Sequence, residues 1–118
     1  MTPTMSYLLP PLMLVASNVF MTLAWYGHLK FKATPLLVVI LVSWGIALAE
    51  YCLAVPANRI GHGVYSAAQL KTIQEIITIA VFVAFSFLYL KESIAPSQLL
   101  GLAMIAGGAA LVFFKPWG

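Results

Sequence analysis

Charge is scarce in this sequence: charged residues make up 8% of the 118 positions and hydrophobic ones 63%, where a soluble domain has about 25% and about 45–50%. Such a chain cannot maintain a wetted surface, so it reads as an integral, multi-pass membrane protein. There is room for a few spans of about 20 residues each and none for a separate soluble domain. The single cysteine, Cys52, excludes a disulfide framework or a cysteine-based metal site within one chain and reads as a small core residue. The two histidines, His28 and His62, are separated by a span and make no metal-ligand pattern. No Ser, Cys or His nucleophile stands beside a base and no phosphate motif appears, so neither an enzyme nor a cofactor is expected. Six dispersed Lys and Arg against three Glu give +3 without a basic patch, which argues against nucleic acid.

Four apolar runs separated by polar, Pro- and Gly-containing connections predict an all-α polytopic fold, a single domain over 1–118 with spans at about 5–27, 35–55, 65–90 and 97–115. The first run lacks the positive leader of a secretory signal and is read as a retained span, with Pro10 and Pro11 near its start. Asn18 and Thr22, one turn apart beside Ser17, suit interhelical hydrogen bonds, and Asn18 also stands as a candidate substrate contact. Trp25, Tyr26 and His28 form an interfacial belt ahead of Lys30 and Lys32. The second run is expected to close at Pro56; on it Ser43, Ala47 and Glu50 make a narrow small and polar stripe. The fourth carries no charge, and its Gly101, Ala103, Gly107 and Gly108 predict close approach of a neighbouring helix, within the chain or across a dimer.

The most informative stretch is Gln69 to Thr78. Lys71, Gln74, Glu75 and Thr78 share one helical face at i, i+3, i+4 and i+7. A charge at the centre of a span costs roughly 2.5–3.5 kcal/mol on insertion scales, so this face should turn to other helices or a wet cavity. At about 1.5 Å per residue, Glu75 lies about 12 Å inside the span, Glu50 about 9 Å inside the Pro56 end and Lys71 about 6 Å in. Glu75 is thus the deepest ionisable group and the first candidate for proton coupling, with Glu50, Lys71 and Gln74 the further candidates for substrate or proton coupling. A lysine N-terminal to its glutamate is the weaker order for an i, i+4 pair, so Glu50 is the expected buried partner of Lys71, leaving Glu75 free.

Several segments resemble a known family. Leu90-Lys-Glu92-Ser-Ile-x-x-x-Gln98-Leu-Leu-Gly101-x-x-x-Ile-x-x-Gly108 looks like the end of a drug/metabolite transporter repeat, a Glu-containing turn followed by a glycine-rich helix. The size is similar to that of the small multidrug resistance proteins, four-helix chains that work as antiparallel dimers and exchange protons for cationic substrates. Ser17-Asn-Val-Phe-Met-Thr-x-Ala-Trp-Tyr-Gly-His-Leu-Lys30, Ser43-Trp-Gly-Ile-Ala, Glu50-Tyr-Cys-Leu-x-Val-Pro-Ala-Asn-Arg-Ile-Gly61 and Gln69-Leu-Lys-x-x-Gln-Glu75 resemble hallmark segments of a small bacterial four-helix family grouped with them. The resemblance implies a drug/metabolite-transporter-like fold in a bacterial inner membrane. One departure matters: the small multidrug resistance proteins carry their proton and drug carboxylate in the first span, and here that span has no Glu or Asp. That role cannot be carried over by position.

Two functions remain in view. One is a dimeric carrier of an unknown small polar or cationic solute, with coupling to protons as a mode open to it. The other is a structural or accessory membrane protein whose polar stripes only specify packing. Arg59, Lys71 and Lys115 flank the spans on the side of the termini, against Lys30, Lys32 and Lys91 opposite, so the positive-inside bias is nearly absent. Two copies can then insert in opposite orientations. A reporter fused to the C-terminus is expected to give signal on both sides of the membrane, and moving two lysines from the first loop to the second should drive it to one side. A single orientation insensitive to such changes removes the case for an antiparallel pair.

Overall fold

The computed structural model describes residues 2–117. It contains α1 (Pro3–Tyr26, prolonged by a 3₁₀ turn Gly27–Lys30), α2 (Leu36–Gly61), α3 (Ala67–Phe85, widening into a π turn Ser86–Leu90) and α4 (Pro96–Phe114). All four, with their extensions, are long and apolar enough to cross a membrane. Their starts follow from local chemistry. Thr2 accepts from the Met5 N–H ahead of Pro3, and Ser66 and Gln69 cap each other reciprocally at 3.1 and 3.0 Å. Pro96 opens α4, where the Gln98 side chain takes the Ala95 N–H at 2.9 Å. Lys91 and Lys115, both at positive φ, close the last two spans.

The second span departs from expectation: α2 continues through Pro56 to Gly61 instead of stopping at 55. Proline removes one backbone donor, but the turns beyond it carry Ala57 and Gly61, which are buried, as is Ala54 before it. Leu14, Ala54 and Ala57 form the buried core, with Ile73 and Ile77 of α3 against it. A Cβ built on Gly61 would lie 2.6 Å from Leu70 Cδ2 and 3.2 Å from Pro10 Cβ. This packing holds the helix together across the proline.

Within the chain α1 is the hub, packing along α2 and on α3, while α4 packs on α3; α2 also meets α3 where Gly61 lies against Leu70. The result is a flattened body of 49 × 35 × 19 Å. Prolines in α1 free carbonyls that lipid cannot satisfy. Pro11 has no N–H to give to Tyr7, and the Tyr65 hydroxyl donates to the Tyr7 carbonyl at 3.0 Å instead. Tyr89 donates likewise to the Gly27 carbonyl at 3.0 Å, and Gln69 Nε2 to the Phe113 carbonyl at the open end of α4, at 3.3 Å.

The glycine stripe of α4 is not used inside the chain. A Cβ on Gly101, Gly107 or Gly108 would meet nothing within 4 Å, and Ala103 is exposed; the small residue that α4 buries is Ala109. Close helix approach occurs at Gly61, five residues beyond the span end expected at Pro56. Gly61→Ala is therefore expected to lower stability by about 1–3 kcal/mol through overpacking. Gly107→Ala should be neutral, or stabilising by up to about 1 kcal/mol through helix propensity. Thermal unfolding of dilute protein in detergent checks this; an equal loss at 107 would mean that a neighbour covers α4.

Candidate functional site

A layer of polar side chains crosses the middle of the helices. Asn18 is 1% exposed. Its Nδ2 donates to the Leu14 carbonyl at 2.8 Å, and its Oδ1 accepts from Thr78 Oγ1 across the α1–α3 contact at 2.6 Å. Thr22 Oγ1 donates to the Asn18 carbonyl at 2.8 Å and Ser17 Oγ to that of Leu14 at 3.0 Å. Among the described residues no buried side-chain polar atom lacks a partner. Asn18 thus clamps two helices, a bond worth about 0.6–2 kcal/mol in a bilayer, and its burial closes it to a solute in this packing.

The charged groups are arranged differently from the expected pairing. Lys71 Nζ lies 2.8 Å from Glu75 Oε1, with side chains 70% and 40% exposed, and this is the ion pair among the described residues. Glu50 is not the partner of Lys71. With α2 running to Gly61, Glu50 lies about 10 Å deeper than Lys71, which stands near the Ala67 end of α3, whereas Lys71 and Glu75 are neighbours on one helix whatever the tertiary arrangement. The longer α2 also changes the depths. Glu50 now lies about 16 Å from the Gly61 end and about 21 Å from the Leu36 end, near mid-helix, while Glu75 remains about 12 Å inside Ala67. Glu50, not Glu75, is therefore the deepest carboxylate.

Glu50 is half-buried and takes part in no ion pair or side-chain hydrogen bond among the described residues. It continues the stripe of Ala54, Ala57 and Gly61 by one more turn. The antiparallel register that sets Gly61 on Pro10 and Ala57 on Leu14 carries it to about the level of Asn18 to Met21. Gln74 is half-buried on the wall of a cavity toward the α2–α3 connection. A second cavity, of about 520 Å³, opens between α1, α3 and α4 at the polar layer. Thr22 and Thr78 supply its hydroxyls, and Trp25, Tyr26 and Phe82 its aromatic walls. Tyr26 and Phe82 meet edge to face at 5.2 Å. Glu50 does not line it; no carboxylate does. Sequence reading missed Tyr65, Phe82 and Tyr89. Only the first had a signal, a tyrosine at a helix start that could answer the carbonyl freed by Pro11.

Four membrane-length helices with a polar layer at mid-depth define a multi-pass membrane protein. Over residues 10–113 the chain matches the family described as "Putative member of DMT superfamily (DUF486)", and it belongs to that family. No curated protein and no solved structure matches it.

An exposed i, i+4 pair contributes about 0.3–0.5 kcal/mol. Lys71→Met and Glu75→Gln are thus each expected to change stability by less than about 1 kcal/mol, and Lys71→Met should not alter the effect of Glu50→Gln. Unfolding of the three single variants and the Glu50–Lys71 double variant checks this. A loss of about 3–5 kcal/mol for Lys71→Met, recovered in the double, would indicate a buried Glu50–Lys71 pair.

Proposed function

We propose that the protein carries a small polar or cationic solute across a bacterial cell membrane as a homodimer, in the manner of the drug/metabolite transporters, with Glu50 as the carboxylate that exchanges proton and solute. The observation that carries the reading is an unpartnered glutamate at mid-helix. An ion there is costly unless a proton, a cation or a second copy neutralises it. That requirement is what couples a carrier's cargo to protons. The family supports transport as the context, and the absence of an acidic residue in the first span is offset by one in the second at comparable depth. Glu75 gives up the role because Lys71 already neutralises it. The flattened body and the uncovered small face of α4 support a second copy, and the near balance of flanking charge permits an antiparallel one.

The rival reading, a structural or accessory membrane protein, draws on Asn18, Thr22 and Thr78, all of which are engaged in packing. Proton release from purified protein in detergent on addition of a panel of cationic and polar solutes separates the two. Release is expected from the wild type and from Glu75→Gln, and none from Glu50→Gln with its fold intact. Release that survives Glu50→Gln overturns the assignment of the carboxylate, and no release at any pH favours the structural reading.

A further inference from the structure

The end of the molecule at the α2–α3 connection holds a cavity for which the carrier reading has no use. It measures about 730 Å³ and is walled by Asn58, Arg59 and His62 from the last turn and cap of α2 and by Leu70, Lys71 and Gln74 from the first turns of α3. Two basic side chains, a histidine and two amides thus line the cavity, Lys71 being held from outside the lining by Glu75 and Arg59 bringing the unpaired charge. Glu75, the nearest acidic residue along α3, engages Lys71 through Oε1 and leaves Arg59 without an ion-pair partner among the described residues.

Depth tells what such a cavity meets. Arg59 lies about 3 Å and Lys71 about 6 Å from their helix ends, the level of lipid headgroups, where long basic side chains extend toward the interface. Both α2 and α3 pack on α1. The cavity between them has an apolar inner wall that includes Val55 and Leu70. A guanidinium presents a planar fork that matches two phosphate oxygens, an ammonium adds a point charge, and amides donate to the remaining oxygens. Basic pockets between spanning helices bind anionic headgroups on these grounds.

We propose that this cavity is a phosphate-binding site occupied by the headgroup of an anionic phospholipid, with an acyl chain along the Val55–Leu70 wall. The site involves neither Glu50 nor transport, so its fate and that of the carrier reading are separate. A soluble phosphate offers the same oxygens without the chain, and the test distinguishes the two sources.

Purified protein is titrated with dioleoyl phosphatidylglycerol, with dioleoyl phosphatidylcholine and with inorganic phosphate. Retained lipid is read by native mass spectrometry, and the melting temperature by tryptophan fluorescence. The wild type should retain phosphatidylglycerol in preference to phosphatidylcholine. Arg59→Gln with Lys71→Gln should weaken that binding about tenfold or more, the scale of one lost charge-assisted hydrogen bond, while phosphatidylcholine binding stays the same. Arg59→Gln alone should show a smaller loss in the same direction, which keeps the test available if the double variant folds poorly. The charge-matched control, Lys32→Gln with Lys115→Gln, should keep the preference. If inorganic phosphate stabilises the wild type but not the double variant, and phosphatidylglycerol has no advantage over phosphatidylcholine, the lipid assignment is overturned in favour of a soluble phosphate. The site itself is overturned if neither anion is preferred, if the preference survives loss of Arg59 and Lys71, or if the control loses it equally.

Discussion

The close approach of α1 and α2 where Gly61 meets Pro10 is the constraint on which the rest of the structure depends. In hydrocarbon two apolar helices gain nothing by leaving lipid for each other, so association rests on packing between backbones that can come near. Gly61, Ala57 and Ala54 provide the small surface and Leu14 fills the space beside it. This contact carries α2 past Pro56, sets the register of the first two helices and buries the α1 face that also bears Ser17. Because Glu50 belongs to the same stripe, the contact also decides how deep a carboxylate sits.

Backbone and side-chain polarity are resolved by a small number of specific donors. Tyr65 answers the carbonyl left open by Pro11, Gln69 answers one at the end of α4, and Thr78 answers the Asn18 amide oxygen. At the opposite end Tyr89 donates to Gly27 while Lys30 lies 4.4 Å from the centre of its ring, so one residue pins the turn after α1 by two interactions. Each of these bonds joins α3, its π turn or the residue just ahead of its cap to a neighbouring helix or to the turn after α1. Since water is absent from the bilayer core, such bonds determine which helices can be neighbours as well as how tightly they pack. Against that background Glu50 stands apart, half-buried at mid-helix with no ion pair or side-chain hydrogen bond among the described residues, and ionisable groups at such depth concentrate where a membrane protein binds or moves something.

The two ends of the layer differ in chemistry although their cationic charge is nearly balanced. Toward the second connection, Arg59, His62 and Lys71 face a shared cavity. Toward the first and third, Lys30 is held on an aromatic ring, and Glu92 follows the π turn, its N–H donating to the Ser86 carbonyl at 3.0 Å. Equal numbers of charges therefore produce a concentrated basic cavity at one end only.

Much of the fold was legible in the residues. Four apolar runs between Pro, Gly and Lys punctuation are enough to define four spanning helices, because in lipid the backbone must satisfy itself and a helix is the only way a single span can do so. The interhelical role of Asn18 was legible for a related reason, a buried amide having nowhere else to bond. The partners were not legible. Lys71 could face Glu50 or Glu75 on the residues alone, and only the extension of α2 to Gly61, which carries Glu50 about 10 Å deeper than Lys71, sets the first pair apart. The small residues of α4 looked like a packing face, yet the face that packs is on α2 and includes a glycine beyond a proline. The sequence by itself determined that the chain crosses a membrane and which side chains are too polar to face lipid, since these follow from transfer energies of single residues. Only the tertiary structure decided which of those side chains neutralise one another and that Glu50 is left over, because pairing depends on distances between helices, which no single segment encodes.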